Sequence, residues 1–382
     1  MGDPAATSAV RHVLVVGAGL AGTAAAIALA AAGVAVDLID IKPEITAVGS
    51  GITMQGNGLR ELRRLGVLDA VLAAGYPFSS VGMRAPDPAG TLLAEFPDGR
   101  TGGPDLPGTV GLPRPALARI MADRAVTAGA RLRLGTAASA LSQDGDCVDV
   151  TFSDGSAGRY DLVIGADGIR SATRRMIGIT EEPRRTGMGI FRAFGPRPVS
   201  VTRTDLYYGG PAYIAGYCPT GADTLYAYLV EDAQDRSALS PEQRLDAMCA
   251  LAAAYHGPWD EIRATLTDPA TVNYTLFEAL VVPAPWNRGR VVLIGDAAHA
   301  CPPTLAQGGA QALEDAAVLT ELLVSHDAPD DALWAAFTAR RFDRARTVVE
   351  ASVQLGQWQL DHVQGDLPGL MGTITALVSK PA

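Results

Sequence analysis

Three features of this 382-residue chain predict an α/β fold: a Rossmann-like dinucleotide-binding domain, an inserted, mostly antiparallel β-sheet domain, and a C-terminal helix. The first is RHVLVVGAGLAGTAAAIALAAAGVAVDLID, residues 11–40, where a glycine cluster separates a β-branched run from a helix-forming one. The second is a tyrosine-rich middle stretch with period-two alternation. The third is a long charged segment of helical period near the end. The length suits one large or two ordinary domains with buried cores.

The elements follow in order. His12 to Val16 is short, apolar and β-branched, as in a strand buried on both faces. Gly17, Gly19 and Gly22 come next, spaced G-x-G-x-x-G, then TAAAIALAAA and a stop at Gly33. Val34 to Ile39 reads as a second strand, closed by Asp40. Gly17 permits a tight turn, Gly19 lets backbone approach a pyrophosphate, and Gly22 lets helix pack closely on strand. Leu20 and Ala21 open a helix whose N–H groups and dipole favour phosphate. Asp40 can accept hydrogen bonds from a ribose. The stretch predicts a dinucleotide site but does not separate FAD from NAD.

Two later segments bear on that choice. RYDLVIGADGIRSATRRMIG, residues 159–178, runs a strand into Asp167 and then a basic helix. GRVVLIGDAAHACPPTLAQGGAQALEDAAVLTELL, residues 289–323, runs a strand into Asp296, the pair Pro302-Pro303 and the pair Gly308-Gly309. An Asp just past the C-terminal end of a parallel strand sits where such sheets bind ligands. Each Asp also fits a simple helix cap.

Taken together, the three motifs resemble the group A flavoprotein monooxygenases, the para-hydroxybenzoate hydroxylase type of FAD-dependent aromatic hydroxylase. The resemblance runs from about Arg11 to about Arg346 and implies a Rossmann-like FAD-binding domain. It implies that Gly17, Gly19, Leu20, Ala21, Gly22 and Asp40 hold the ADP half of FAD. Asp296 would bond the ribityl chain or pyrophosphate, and the Asp167 motif would serve both FAD and the reduced nicotinamide. Arg114, in GLPRPALARIMADRA, matches the arginine that reaches the ribityl-pyrophosphate side. Gly51 matches a loop passing near the flavin, and Pro303, Gly308 and Gly309 lie in the loop entering the flavin-side helix. Three positions depart from the pattern. Asp40 stands where many members have Glu, Ile41 replaces the usual Arg so that Lys42 takes the phosphate-side charge, and Ala310 replaces a frequent Asn.

The implied activity is NADH- or NADPH- and O2-dependent hydroxylation of an aromatic or N-heteroaromatic small molecule, with oxygen adding at flavin C4a. The alternative is a flavin-binding oxidoreductase or ligand-binding flavoprotein without hydroxylase turnover. An NAD-dependent dehydrogenase would leave Asp296 and Gly308-Gly309 unexplained, and the four tryptophans form no W-x-W-x-I-P pattern of flavin halogenases. With one G-x-G-x-x-G in the chain, the nicotinamide is expected to dock transiently on the FAD domain. That domain is expected at 10–75, 110–180 and 280–350, the substrate domain at 76–109 and 181–279, and a helical tail at 351–382. Within TDLYYGGPAYIAGYC and DTLYAYLVED, Tyr213, Ala215 and Tyr217 should share one face, as should Tyr226 and Tyr228. Tyr213 and Tyr226 are the candidates for positioning substrate. His299 and Cys301 read as structural, and Arg192 and Arg203 as solvated.

Composition narrows the classes further. With 31 basic and 41 acidic residues, a formal net charge of −10, the chain lacks a general nucleic-acid or anionic-membrane surface. Its four cysteines form no C-x-x-C pair, which gives no support for a metal site and suits a reducing compartment. No apolar run is long enough to span a bilayer. A cytoplasmic monomer or homodimer is the expectation.

Overall fold

A computed structural model describes residues 8–45 and 51–382. Two large sheets organise the chain. The first has six strands in the order Asn287–Arg288, Val291–Leu293, Leu162–Gly165, His12–Val16, Ala35–Asp40 and Arg131–Leu134. Its strands pair in parallel except at the Asn287–Arg288 edge. Val13, Leu14 and Val15 are fully buried, as a strand covered on both faces requires. Helices Leu20–Ala31, Arg114–Ala128 and Gly308–Ser325 contribute to the apolar core packed on it.

The second sheet has eight strands, in the order His299–Ala300, Val272–Val281, Arg184–Pro196, Thr224–Asp232, Ile214–Pro219, Thr204–Tyr208, Ser80–Arg84 and Leu92–Pro97. It is antiparallel except where Thr204–Tyr208 pairs with Ser80–Arg84. One face is covered by helices Pro241–Ala252 and Pro258–Thr265, which come from within the stretch that reads as alternating strands. The other face turns toward the six-stranded layer. A three-stranded sheet of Gly51–Gln55, Thr109–Pro113 and Tyr76–Phe78 lies beside them.

Several expected boundaries fall inside single elements. Residue 109/110 cuts the strand Thr109–Pro113, 279/280 cuts Val272–Val281, and 350/351 cuts the helix Asp331–Leu360. A separate helix, Leu367–Ser379, then packs Ile374 and Val378 against Leu305 and Val348. No helix among the described residues is long and apolar enough to cross a membrane.

Candidate functional site

The glycine turn is built from backbone. Gly17 takes φ +106° and donates its N–H to Ile39 O at 2.8 Å. A Cβ on Gly17 would lie 2.4 Å from Ala166 O, and one on Gly22 only 1.9 Å from Gly17 O. Both glycines are therefore fixed by close approach, and Gly17 by its conformation as well. Gly19, the residue before the helix, has nothing within 4 Å of where a Cβ would stand, and no side chain caps the N–H groups of Leu20, Ala21 and Gly22. Asp40 accepts from Ala18 N and Lys42 N, each at 2.8 Å, tying the end of the second strand to the turn. An open helix N-terminus beside a carboxylate fits the phosphate and ribose of a dinucleotide.

The two later aspartates differ. Asp167 accepts from Ser171 Oγ, from Thr173 N at 2.9 Å and from Thr173 Oγ1 at 3.0 Å, so its carboxylate holds the start of the next helix. Beneath it, buried Arg174 donates to Ile169 O at 2.9 Å and to Ala297 O at 3.0 Å, joining the Asp167 loop to the Asp296 loop. Asp296 has no hydrogen-bond partner among the described residues. Water reaches it from a cleft while protein surrounds it elsewhere. Burial pushes its carboxyl above the ordinary value, with His299 and Arg114 opposing the shift.

Asp296 and Arg192 line that cleft, a space of about 200 Å³ shared with Ile169, Glu278, Pro302 and Pro303. Arg114 is exposed to solvent, yet the protein packed around it lowers its guanidinium; the like charge of Arg192 adds to the effect, while Tyr226 and Asp296 oppose it. Arg192 and Asp296 thus share the cleft, and Arg114 lies within electrostatic reach of both and of Tyr226. Arg192 is half-buried with a hydrogen bond to Thr275 Oγ1, which corrects the expectation of a solvated role. Arg203 is also not simply solvated: it pairs with Glu95 at 3.2 Å and Asp205 at 2.9 Å. At the rim, Arg170 pairs with Glu278 at 2.7 Å.

The sheet face over the cleft follows from register. Arg192 pairs across with Tyr228, Tyr228 with Gly216, and Phe194 with Tyr226. Tyr226 and Tyr228 therefore share a face, with ring centroids 5.0 Å apart. A Cβ on Gly216 would stand 2.5 Å from the Tyr228 ring, and one on Gly51 2.8 Å from the Tyr226 ring. Glycine at both positions lets the rings lie flat. Burial raises Tyr228 well above its ordinary value, and its hydroxyl has no hydrogen bond among the described residues.

Tyr213 does not join them. The strand begins at Ile214, so Tyr213 precedes the pleat. Its hydroxyl donates to Asp232 Oδ1 at 2.7 Å, and its ring lies 5.9 Å from His362. Tyr217 and Ala215 are buried on the opposite, helix-covered face. The face expected for Tyr213, Ala215 and Tyr217 is thus corrected by one residue of strand boundary.

Behind the cleft, His299 Nε2 lies 2.6 Å from Asp315 Oδ2, which also accepts from Gly295 N at 2.8 Å. Arg341 Nε donates to the other Asp315 oxygen at 2.7 Å. Although burial alone would raise it, His299 and Arg341 bring the Asp315 carboxyl down to about 2. Cys301 is a free thiol that burial pushes up to about 12, which keeps it protonated. Gly308 and Gly309 start the helix Gly308–Ser325. A Cβ on Gly309 would meet Leu20 at 3.1 Å, so this helix begins close to where the first helix does. Sequence reasoning placed Tyr228 only as the face-mate of Tyr226, read Arg192 as solvated, and missed the Asp315–Arg341 pair. Adjacent acids in the otherwise apolar ALEDAAVL were the available cue.

Comparison with known proteins agrees with this geometry. The family described as FAD binding domain matches residues 11–352. A 2-heptyl-3-hydroxy-4(1H)-quinolone synthase of Pseudomonas aeruginosa is 32% identical over 362 residues, covering 91% of this chain and 90% of the relative. An aurachin C monooxygenase/isomerase of Stigmatella aurantiaca is 30% identical over 355 residues, covering 91% and 90%. HpxO of Klebsiella pneumoniae, solved with FAD and uric acid, superposes with a TM-score of 0.80 at 24% identity, covering 97% of this chain and 92% of that one.

Proposed function

Because this chain belongs to the FAD binding domain family, as an FAD-dependent monooxygenase of the aromatic-hydroxylase type, we propose that it hydroxylates a planar aromatic or N-heteroaromatic small molecule, with NADH or NADPH as electron donor and O2 as oxidant. Bound FAD would supply the redox chemistry, with two electrons from the nicotinamide, one oxygen atom of O2 going to the ring and the other leaving as water. The chain's task is to hold both molecules, exclude water and place charge. The N–H groups after Gly17 and Gly19 take the pyrophosphate, with Leu20, Ala21 and Gly22 forming the helix start. Asp40 and Lys42 face the adenosine ribose. Arg114 neutralises phosphate, and Asp296, without a hydrogen-bond partner among the described residues, accepts from the ribityl chain. Gly51 and Pro303 flank the flavin, Gly308 and Gly309 offer N–H groups to its pyrimidine edge, and Asp167 shapes the adjoining loop.

The observation that carries this reading is that Asp296 and Arg192 share one cleft, with Arg114 close enough to interact electrostatically with both and with Tyr226. With Arg114 matched to phosphate and Asp296 to ribityl, Arg192 is left beside Tyr226 and Tyr228. A cation next to two flat rings, one with a free hydroxyl, suits a planar ring bearing an oxo or ionised hydroxyl group. The name of the quinolone synthase relative accords with such a ring.

Asp296→Ala should give folded, largely colourless protein, and Arg114→Ala should weaken FAD binding more than Arg119→Ala. Full flavin at wild-type affinity in Asp296→Ala would overturn the ribityl assignment. NAD(P)H consumption and product mass are then read over a panel of phenols, pyridines and quinolines. A gain of one oxygen atom supports the proposal. Bound flavin with no aromatic-dependent oxidation would favour a flavoprotein without hydroxylase turnover.

A further inference from the structure

The helix Gly308–Ser325 is entered through an unusual backbone. Ala306, between the turn Pro303–Leu305 and Gln307, adopts φ 52° and ψ 31°, a left-handed conformation that a Cβ disfavours. A strained residue persists only where its surroundings over-determine it. Here the surroundings are a chain of side-chain amides. Gln55 Nε2 donates to Leu305 O at 3.0 Å. Gln307 Nε2 donates to Gln55 Oε1 and, at 3.2 Å, to Asn57 Oδ1. Asn57 Nδ2 donates back to Gln307 Oε1 at 3.0 Å and onward to Glu314 Oε1 at 3.1 Å.

The chain has a fixed direction. Glu314 can only accept when ionised, and Arg344, at 2.7 and 2.8 Å, and Arg341, at 2.9 Å, keep it so. Asn57 must therefore point its NH2 at Glu314, which sets the orientation of Gln307 and then of Gln55. Both hydrogens of the Asn57 and Gln307 amides are used, and Asn57 and Gln307 are essentially inaccessible to water at 0% and 1% exposure. Ala310, in the first turn of the helix, has no amide of its own to contribute. Its Cβ lies 3.2 Å from where a Cβ on Gly58, the neighbour of Asn57, would stand.

We propose that Gln55, Asn57 and Gln307 are positioning residues. Their amide chain holds Ala306 left-handed and so aims the N–H groups of Gly308, Gly309 and Ala310 at the pyrimidine edge of FAD. This rests on the placement of FAD given above. The chain touches no reacting atom. It acts through the helix start, where positive potential favours the negative charge of reduced flavin over the neutral oxidised form. Breaking it lets Ala306 relax and misaims the donors.

The test is the midpoint potential of the FAD-loaded protein, measured without substrate, so that a failed hydroxylase assignment leaves it readable. Wild type sets the reference and shows FAD bound. Gln55→Ala, at the half-buried end of the chain, should shift the relative affinity for reduced over oxidised FAD downward by three- to tenfold. A tenfold shift corresponds to about 30 mV in a two-electron couple. Gln307→Ala should shift it at least as far. Ala306→Gly lowers the cost of the left-handed backbone, so Gln55→Ala/Ala306→Gly should recover at least half of the shift. A merely structural chain would not give that rescue. If Gln307→Ala does not fold, Gln55→Ala and its rescue decide. An unchanged potential in Gln55→Ala, or a shift that Ala306→Gly fails to restore, overturns the proposal.

Discussion

The two faces of the eight-stranded sheet are made from alternate residues of the same strands, yet they are finished differently. On the helix-covered face every tyrosine hydroxyl is spoken for. Tyr207 donates to His256 O at 2.8 Å, Tyr217 to Asp205 Oδ2 at 2.8 Å, and Tyr255 to Gly209 O at 2.9 Å. Trp259, fully buried, fills the space beside Tyr217 and Tyr255. On the face toward the FAD layer, Tyr228 makes no hydrogen bond and Arg192 makes one. Buried polar groups in a settled core are satisfied, so unspent donors in a concave wall mark where a ligand's polar groups belong. The tyrosine hydroxyls tell the two faces apart, although on the covered face the buried Trp259 Nε1–H also finds no partner.

The comparison breaks most sharply if the closed face proves tolerant. Trp259→Ala should cost about 3–5 kcal/mol by chemical denaturation, as for a large side chain removed from a packed core. FAD affinity of the protein that remains folded should stay near wild type. A loss under about 1 kcal/mol would mean that the helix-covered core is loosely packed, and the contrast would fail.

Next in size is the polar layer behind the open face. Asp315 is held at about 2, below its usual 3.8, beside His299 and Arg341. A carboxyl with a lowered folded value binds fewer protons folded than unfolded. Its contribution is therefore complete above about pH 4 and is lost as pH falls toward 2. Asp315→Asn should flatten the fall in stability between pH 4 and pH 2 measured by urea titration, besides lowering stability at pH 7. An unchanged slope would show that the acid transition arises elsewhere.

A smaller effect separates the tyrosines of the closed face. Tyr217→Phe removes a buried hydrogen bond to Asp205, which keeps Arg84 at 2.6 Å and Arg203 at 2.9 Å. The cost should be about 1–3 kcal/mol in stability, with hydroxylation coupling unchanged at temperatures well below the transition. Altered coupling with unaltered stability would place Tyr217 functionally on the wrong face.

What the sequence made legible follows the same division. The strand–turn–helix of residues 12–40 could be read residue by residue because the turn is built from backbone, and close approach leaves glycine little substitute at Gly17 and Gly22. The sheet wall is built from side chains, and alternation gives two faces without saying which is which. Tyr213 was misplaced because the strand starts one residue later, at Ile214. Helices Pro241–Ala252 and Pro258–Thr265 went unread because neither carries a strong amphipathic stripe in sequence. Arg341 and Arg344 looked like part of a charged helix surface, but partners that are distant in sequence, Glu314 and Asp315, bury them. Single-sequence periodicity cannot reveal such pairing.

The smallest change in stability should come with the clearest change in function. The Tyr228 hydroxyl has no hydrogen-bond partner among the described residues and is not one of the buried unpaired atoms, so Tyr228→Phe removes no hydrogen bond within the described chain. Stability should move by no more than about 0.5 kcal/mol, in either direction. Tyr226→Phe, whose hydroxyl faces the charge of Arg114 without a hydrogen bond, should behave similarly. FAD should remain bound in both, since neither ring is assigned to the cofactor. If one of these hydroxyls meets the substrate's oxygen, its loss should weaken ring positioning by about 1–3 kcal/mol. That would appear as more NAD(P)H consumed per product formed, with peroxide accounting for the difference. Normal coupling in both variants would make the rings a flat apolar wall and leave Arg192 as the polar contact. Arg192→Gln would then have to carry the whole loss of coupling, and if it too hydroxylates normally, the open face has been assigned to the wrong ligand.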